Sequence, residues 1–269
     1  MKNGNKVFLT IVSCAIGLLW VVPYVWIIVT SVALRPDAAH PFARLGIDHF
    51  SDVLSQAPFG IYFLNSLVIV AGVLFLQCVT TTLAAYAVAR LKFWGRDFVF
   101  LLLLCQIAIP NDILLVPNYL TVSKLRLTNS LLGIMVPFFA SGFGIFLLRQ
   151  TFKSIPRDFE EAAEIDGAGL LRKLAYVYLP MSKPAYAAFG LASVCAHWND
   201  FLWPLIVTNS DRVRPMTVGL AMFATSFETG ARWGDVAAAT ILVTLPLVLL
   251  FAVFQKRFVE SLSFSSGIK

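Results

Sequence analysis

The sequence predicts an all-α fold, a polytopic membrane protein with six transmembrane helices. Three observations carry that expectation. Of 269 residues, 58% are hydrophobic and only 13% charged, with a mean hydropathy of +0.79; an ordinary soluble domain is about 25% charged. Six apolar runs are long enough to cross hydrocarbon about 30 Å thick, which takes roughly 20 helical residues. These runs are apolar throughout, not at every second residue as in a barrel strand, and a helix pairs its backbone polar groups within its own segment, as lipid requires. The composition argues against a disordered chain, a disulfide-stapled miniprotein or a water-soluble enzyme of this length.

The first run covers about residues 7–33. Lys2 and Lys6 precede it, and Ser31-Val32-Ala33 has the small-x-small form of a signal cleavage site. The run is nevertheless longer than a signal core of about 7–15 residues, and Pro23 with Trp20, Tyr24 and Trp26 suits a retained helix. The second run covers about 61–89. The third, about 98–120, is interrupted by Pro110, Asn111, Asp112 and Pro117. The fourth, fifth and sixth cover about 128–148, 185–208 and 235–254. No intervening loop is large enough for an independent domain, so residues 1–269 read as a single transmembrane domain. Its longest loop, about 149–184, joins the fourth and fifth runs.

Six spans leave both termini on one side. If that side is the cytoplasm, the inner segments carry fourteen of the 21 Lys and Arg residues and the outer ones seven. Basic residues favour the inside, so both termini are expected to be cytoplasmic. The formal charge of +6 is then mostly a topology signal, and a nucleic-acid partner is not expected.

Chemistry-bearing clusters are missing from the sequence. Cys14, Cys78, Cys105 and Cys195 each fall inside a span, and His40, His49 and His197 are scattered. No metal motif, nucleophile elbow or phosphate-binding loop occurs. An embedded enzyme is therefore not expected. Any ATP and magnesium would be used by another chain, with no cofactor bound by this one. No duplicated half is apparent, which weakens a stand-alone secondary carrier built on repeats.

The inner loop is the most informative segment. Over 156–184 it reads PRDFEEAAEIDGAGLLRKLAYVYLPMSKP. Asp158 suits a helix cap, with Glu161 three residues on in a variant of the capping box. Glu160, Glu161 and Glu164 share a polar face, Ala162 and Ala163 keep the helix thin, and Gly167 permits the left-handed residue that ends it. A second amphipathic helix is expected over 168–178, with Leu170, Leu171, Leu174 and Val177 on one side. A short acidic helix with small residues, bent sharply at the membrane face, suits close approach by another protein. A solvated connecting loop is the plain alternative.

Glu161-Ala162-Ala163, then Gly167, then Val177-x-Leu179-Pro180 resembles the EAA loop of permease subunits in bacterial ATP-binding-cassette importers. Ile165-Asp166-Gly167-Ala168 has the form common in carbohydrate importers. Ala85–Arg90 followed by Gly95-Arg96, Trp198–Pro204, and the tail from Gln255 to Lys269 continue the resemblance. It is greatest to the six-span second permease of maltose-type and glycerol-phosphate-type importers. The resemblance implies that the loop is a coupling helix, with Glu160, Glu161, Ala162, Ala163, Asp166, Gly167, Leu179 and Pro180 as ATPase-coupling residues. It implies a bacterial inner-membrane location, a second homologous permease, two ATPase subunits and an extracytoplasmic solute-binding protein. A permease for a non-sugar solute is the main alternative, and a stand-alone carrier a lesser one.

Polar groups at membrane depth face cavities or other helices. Asn65, Gln77, Gln106, Asn111, Asp112, Asn199 and Asp200 are therefore candidates, and Asn65, Asn111, Asp112, Asn199, Asp200 and Trp203 are expected along a solute pathway. Asn199 and Trp203, four residues apart, would share a helical face able to bond a hydroxyl and stack on a sugar ring. The alternative is helix–helix bonding for Asn199 and Asp200 and interfacial anchoring for Trp203. Gly142 and Gly144, and Ala84 and Ala85, suit close helix packing.

Overall fold

The computed structural model describes residues 2–34, 44–226 and 232–265. The C-terminal Ser266–Lys269, part of the resemblance above, and Arg35, counted among the outer charges, lie outside the described residues. Among the described residues the fold is all-α apart from one two-residue antiparallel pairing, β1 (Ala33–Leu34) with β2 (Arg44–Leu45).

In chain order, α1 is Lys2–Val32 and α2 is Asp48–Gln56. α3, Phe59–Arg90, has 32 residues and so is about 48 Å long, longer than the hydrocarbon layer. Thr82 folds its hydroxyl back onto the carbonyl four residues earlier, at 2.5 Å, Thr81 does the same to Gln77, and Thr80 gives its proton to the Phe139 carbonyl, so a threonine run costs an apolar span no unpaired hydroxyl. Gly95, at φ +78°, turns the chain into α4, Arg96–Ala108.

Pro110 forces Ile109 out of helical geometry. A 3₁₀ turn, Asn111–Leu114, then leads into α5, Leu115–Lys124, and the axis bends by 97°. α6, Leu131–Met135, continues as a 3₁₀ turn through Pro137 to Phe138 before α7, Gly142–Ser154, with a bend of 45°. Ser130 and Ser141 cap α6 and α7 by accepting from Gly133 N at 3.0 Å and Gly144 N at 3.1 Å. The inner loop holds α8 (Asp158–Ile165), α9 (Leu170–Lys173), a π turn (Leu174–Tyr178) and α10 (Leu179–Met181). The chain ends with α11 (Lys183–Trp198), α12 (Leu202–Val207), α13 (Met216–Thr225) and α14 (Trp233–Ser265).

Among the described residues, α1, α3 and α14 each include a segment long and apolar enough to cross a membrane, and the bent pairs α4–α5 and α6–α7 add two more. The fifth predicted span falls on α11 and α12, separated at residues 199–201. Pro204 has no N–H to give the Asp200 carbonyl, and Asn199 donates its side-chain amide to the Cys195 carbonyl at 2.8 Å. The helix therefore stops at Trp198. Asn199 and Trp203 sit on different helices, and the shared face expected of them does not exist.

The described chain forms two compact units. One takes the chain up to Phe63 with Met216–Pro246; the other takes Leu64–Pro215 and the chain from Leu247 onward. In the first, Val53, Phe59, Tyr62, Met216, Phe223 and Ala238 form the core. His49 Nδ1 lies 2.6 Å from Asp235, whose other oxygen is 2.9 Å from Arg232. In the second unit, one core gathers Ala85, Tyr86, Leu148, Phe152, Leu174 and Tyr178, and another gathers Ile69, Val73, Val122, Ile134 and Trp203. Gly142 and Gly144 let α7 press close: a Cβ on Gly142 would lie 2.8 Å from the Leu103 carbonyl, and one on Gly144 2.6 Å from the Phe189 ring.

Candidate functional site

The second unit contains two polar constellations. At the inner loop, α8 begins at Asp158 itself, with Arg157 in the cap position and no side-chain cap bond. The expected capping box is therefore absent. Asp158, Glu160 and Glu161 instead fill the first turn, where carboxylates meet the positive end of the helix dipole. The end of the helix is as expected. Gly167 has φ +72°, Ala168 N donates to Ala163 O at 2.9 Å, and Gly167 N donates to Glu164 O at 3.0 Å, which is the Schellman pattern.

The adjacent acids of α8 point different ways. Glu161 is exposed, with Ala162, Ile165 and Asp166 beside it. Glu160 is turned inward, its side chain 15% exposed. Tyr86 and Tyr178 each donate to one of its carboxylate oxygens at 2.7 Å. Lys173 bridges it at 3.4 Å to Glu164 at 2.7 Å, and Arg90 Nε stands 3.9 Å away. Arg90 also donates to the Phe152 carbonyl at 2.6 Å and to that of Ile155, satisfying carbonyls at the end of α7. Burial alone would raise the Glu160 carboxyl, but the two tyrosine hydroxyls and the Lys173 ammonium favour its charged form and hold it below the usual range. Lys173 is raised, chiefly by its bond to Glu164, and the Tyr178 hydroxyl is raised by burial and then by Glu160. On the second half of the loop, Leu174 and Tyr178 are buried, while Leu170 and Leu171 are exposed, contrary to the single apolar face expected. Leu179 and Pro180 are exposed on α10.

The second constellation is a cavity of about 840 Å³. Asn111, Asp112, Asp200 and Trp203 line it, as do Gln77 and Gln106. The expectation missed Asn118, Ser141, Ser193 and His197, which also line it. Ser193 and His197 lie four residues apart on α11, a spacing that placed them together had the histidine been read with its helix. Gln77 organises this wall: its amide donates to the Phe138 carbonyl at 2.8 Å and lies 3.3 Å from His197 Nε2, and its oxygen accepts from Ser193 at 2.6 Å. Thr80 takes the next carbonyl, Phe139, at 2.6 Å. The carbonyls left open where the helix breaks between Phe138 and Gly142 are thus paired by α3, as irregular backbone at membrane depth requires. Trp203 is only 2% exposed, and its indole N–H is engaged by the Ile134 carbonyl at 3.0 Å, so it is a wall of the cavity more than a stacking platform. Asn65 and Asn199 do not line it. Asn65 donates to the carbonyls of Arg212 and Arg214, both at 3.0 Å, and so fastens a loop.

A helical chain with broken spans, a mid-span polar cavity and a bent acidic inner loop has close counterparts among known proteins. Residues 78–263 match the family model described as binding-protein-dependent transport system inner membrane component. The chain belongs to that family. The permease is 30% identical over 262 residues to the diacetylchitobiose uptake system permease protein NgcG of Streptomyces coelicolor, covering 94% of this chain and 87% of that one. It is 29% identical to the lactose transport system permease protein LacG of Rhizobium radiobacter, covering 89% and 88%. It is 31% identical to the sn-glycerol-3-phosphate transport system permease protein UgpE of Yersinia enterocolitica, covering 77% and 74%. Among solved structures it shares its fold with a chain of a bacterial ABC transporter that imports alginate, at TM-score 0.80 and 23% identity, covering 95% of the permease and 98% of that chain. Within the matched region lie the inner loop and, Gln77 apart, every residue named above along the cavity.

Proposed function

We propose that the permease forms half of the translocation pathway of a bacterial ATP-driven importer for a carbohydrate or related polyhydroxylated solute, and couples that pathway to ATPase subunits through α8. It pairs with a second, homologous permease and sits on two ATPase subunits, which bind the ATP and magnesium. A solute-binding protein outside delivers the cargo. The chain crosses the inner membrane six times with both termini in the cytoplasm, and it catalyses no reaction itself. The solute class is supported by relatives named for diacetylchitobiose, lactose and glycerol phosphate. A polyol exchanging hydrogen bonds with water needs amide and carboxylate groups at membrane depth, and Asn111, Asp112 and Asn118 offer them along the cavity.

The observation that carries this reading is the outward presentation of Glu161 and Ala162 on a helix whose other face is anchored by Glu160. An exposed carboxylate between small side chains suits a guanidinium in a cleft of a partner, where a desolvated pair is costly to break. The test is Glu161→Lys in the full complex. The expected result is failure of the four-subunit assembly, or ATP hydrolysis without uptake of the sugar carried by the binding protein. Normal complex yield with normal uptake would remove Glu161 from this role.

A further inference from the structure

We infer that Glu160 is a positioning residue that locks the coupling helix to the inner end of α3, so that α8 and α3 move as one body when the ATPase subunits close. This rests on the coupling reading above and adds the element that receives the motion. α8 has eight residues, too few to keep its direction by helix cooperativity alone. Its orientation must come from side chains. Glu160 supplies it with both carboxylate oxygens, one taken by Tyr86 of α3 and one by Tyr178 of the π turn. The two rings are 3% and 0% exposed and meet edge to face at 5.2 Å, so neither hydroxyl can swing away without opening a core.

Arg90, one turn beyond Tyr86 on α3, fixes the same place from the other side. Its terminal nitrogen holds the last carbonyls of α7, and its Nε is buried without a hydrogen-bond partner, 3.9 Å from Glu160. A closure of about 1 Å would bring that pair to hydrogen-bond distance. A buried donor left unpaired calls for an explanation, and a contact completed in another state of the cycle provides one. Along α3, Gln77 lies nine residues before Tyr86, about 14 Å on the helix axis, and there it holds Phe138 and lines the cavity. A displacement of α8 therefore reaches the cavity wall along a single helix.

The test uses the assembled complex carrying Asn118→Cys as a reporter in the cavity. Labelling by a methanethiosulfonate reagent is read by mass spectrometry at position 118, with and without a non-hydrolysable ATP analogue and magnesium. The parent complex should change its labelling rate on nucleotide binding. Tyr86→Phe with Tyr178→Phe keeps both rings and removes both hydroxyls. Complex yield and ATP hydrolysis should stay at the parent level, while the nucleotide-driven change falls by about fivefold or more, the low end of typical coupling between distant sites. Glu160→Gln should reduce the change in the same direction. A parent-sized nucleotide response in both variants overturns the proposal. Loss of assembly or of ATP hydrolysis in the double tyrosine variant also overturns it, because the cluster would then serve docking or folding instead of transmission. If Glu161→Lys assembles and transports normally and the parent shows no nucleotide response, the coupling reading fails and takes this linkage with it.

Discussion

The cluster around Glu160 and the cavity lined by Asp112 and Asn118 use similar polar side chains to opposite ends. At the inner loop the carboxylate, two phenols, an ammonium and a guanidinium face one another, and the result is a fixed direction for a very short helix. In the cavity, Asn111, Asp112 and Asn118 border open space, where their hydrogen bonds are exchanged with whatever fills it. Gln77 and its partners, with Ser141 and Trp203, behave there as the inner cluster does. A polar group that faces other polar groups holds backbone in place, and one that faces a void is available for traffic. On the function proposed above, the contrast separates parts of the chain that would transmit movement from parts that would meet solute.

The sharpest way to break the contrast is Glu160→Leu. It leaves two hydroxyls, Lys173 and Arg90 around an apolar side chain, and removing one partner of a largely buried charged set costs about 3–5 kcal/mol. The expected result is a large drop in the thermal midpoint of the purified complex. Next comes Gln77→Leu, which orphans the Phe138 carbonyl and the Ser193 hydroxyl at about 1–3 kcal/mol, again read as a lowered midpoint. Ser141→Ala removes the cap of α7 at about 1 kcal/mol and should move the midpoint less. Asp112→Asn and Asn118→Ala should move it by no more than about 0.5 kcal/mol, yet change the apparent affinity or rate of uptake. A large stability loss in these cavity variants would erase the distinction.

Acid provides a finer test. Glu160 is held below its usual range, so its stabilising contribution is fully present above the unfolded value of about 4.3 and is lost only as pH falls through the depressed folded one. The midpoint of the wild-type complex should therefore carry an acid-side decline that Glu160→Gln lacks. Identical midpoint-against-pH curves would show that the carboxylate does not contribute as described.

Much of this arrangement was legible in the sequence, because it depends on local rules. Apolar length marked the long helices, Pro110 marked the sharpest bend, Gly167 marked the end of α8, and Gly142 and Gly144 marked a close helix contact. The division between Glu160 and Glu161 was not legible. Both are acids on one helical turn, and only Tyr86, Arg90 and Tyr178, brought in from distant segments, decide which faces inward. The same holds for the cavity. Asn111, Asp112 and Asp200 could be picked as polar groups in apolar runs, but Asn65 looked identical and proved to fasten the Arg212–Arg214 backbone. The pairing of Asn199 with Trp203 failed for a local reason that was readable: Pro204 withholds a donor from Asp200, and the helix they were to share ends at Trp198.

The arrangement at Arg90 bears on how such subunits can be recombined. Grafting residues 158–168 alone into another permease would bring the grip surface without Tyr86, Arg90 and Tyr178, which set its aim. A chimera that moves these three side chains together with the graft should keep its motor engaged, whereas the bare loop swap should let hydrolysis run idle.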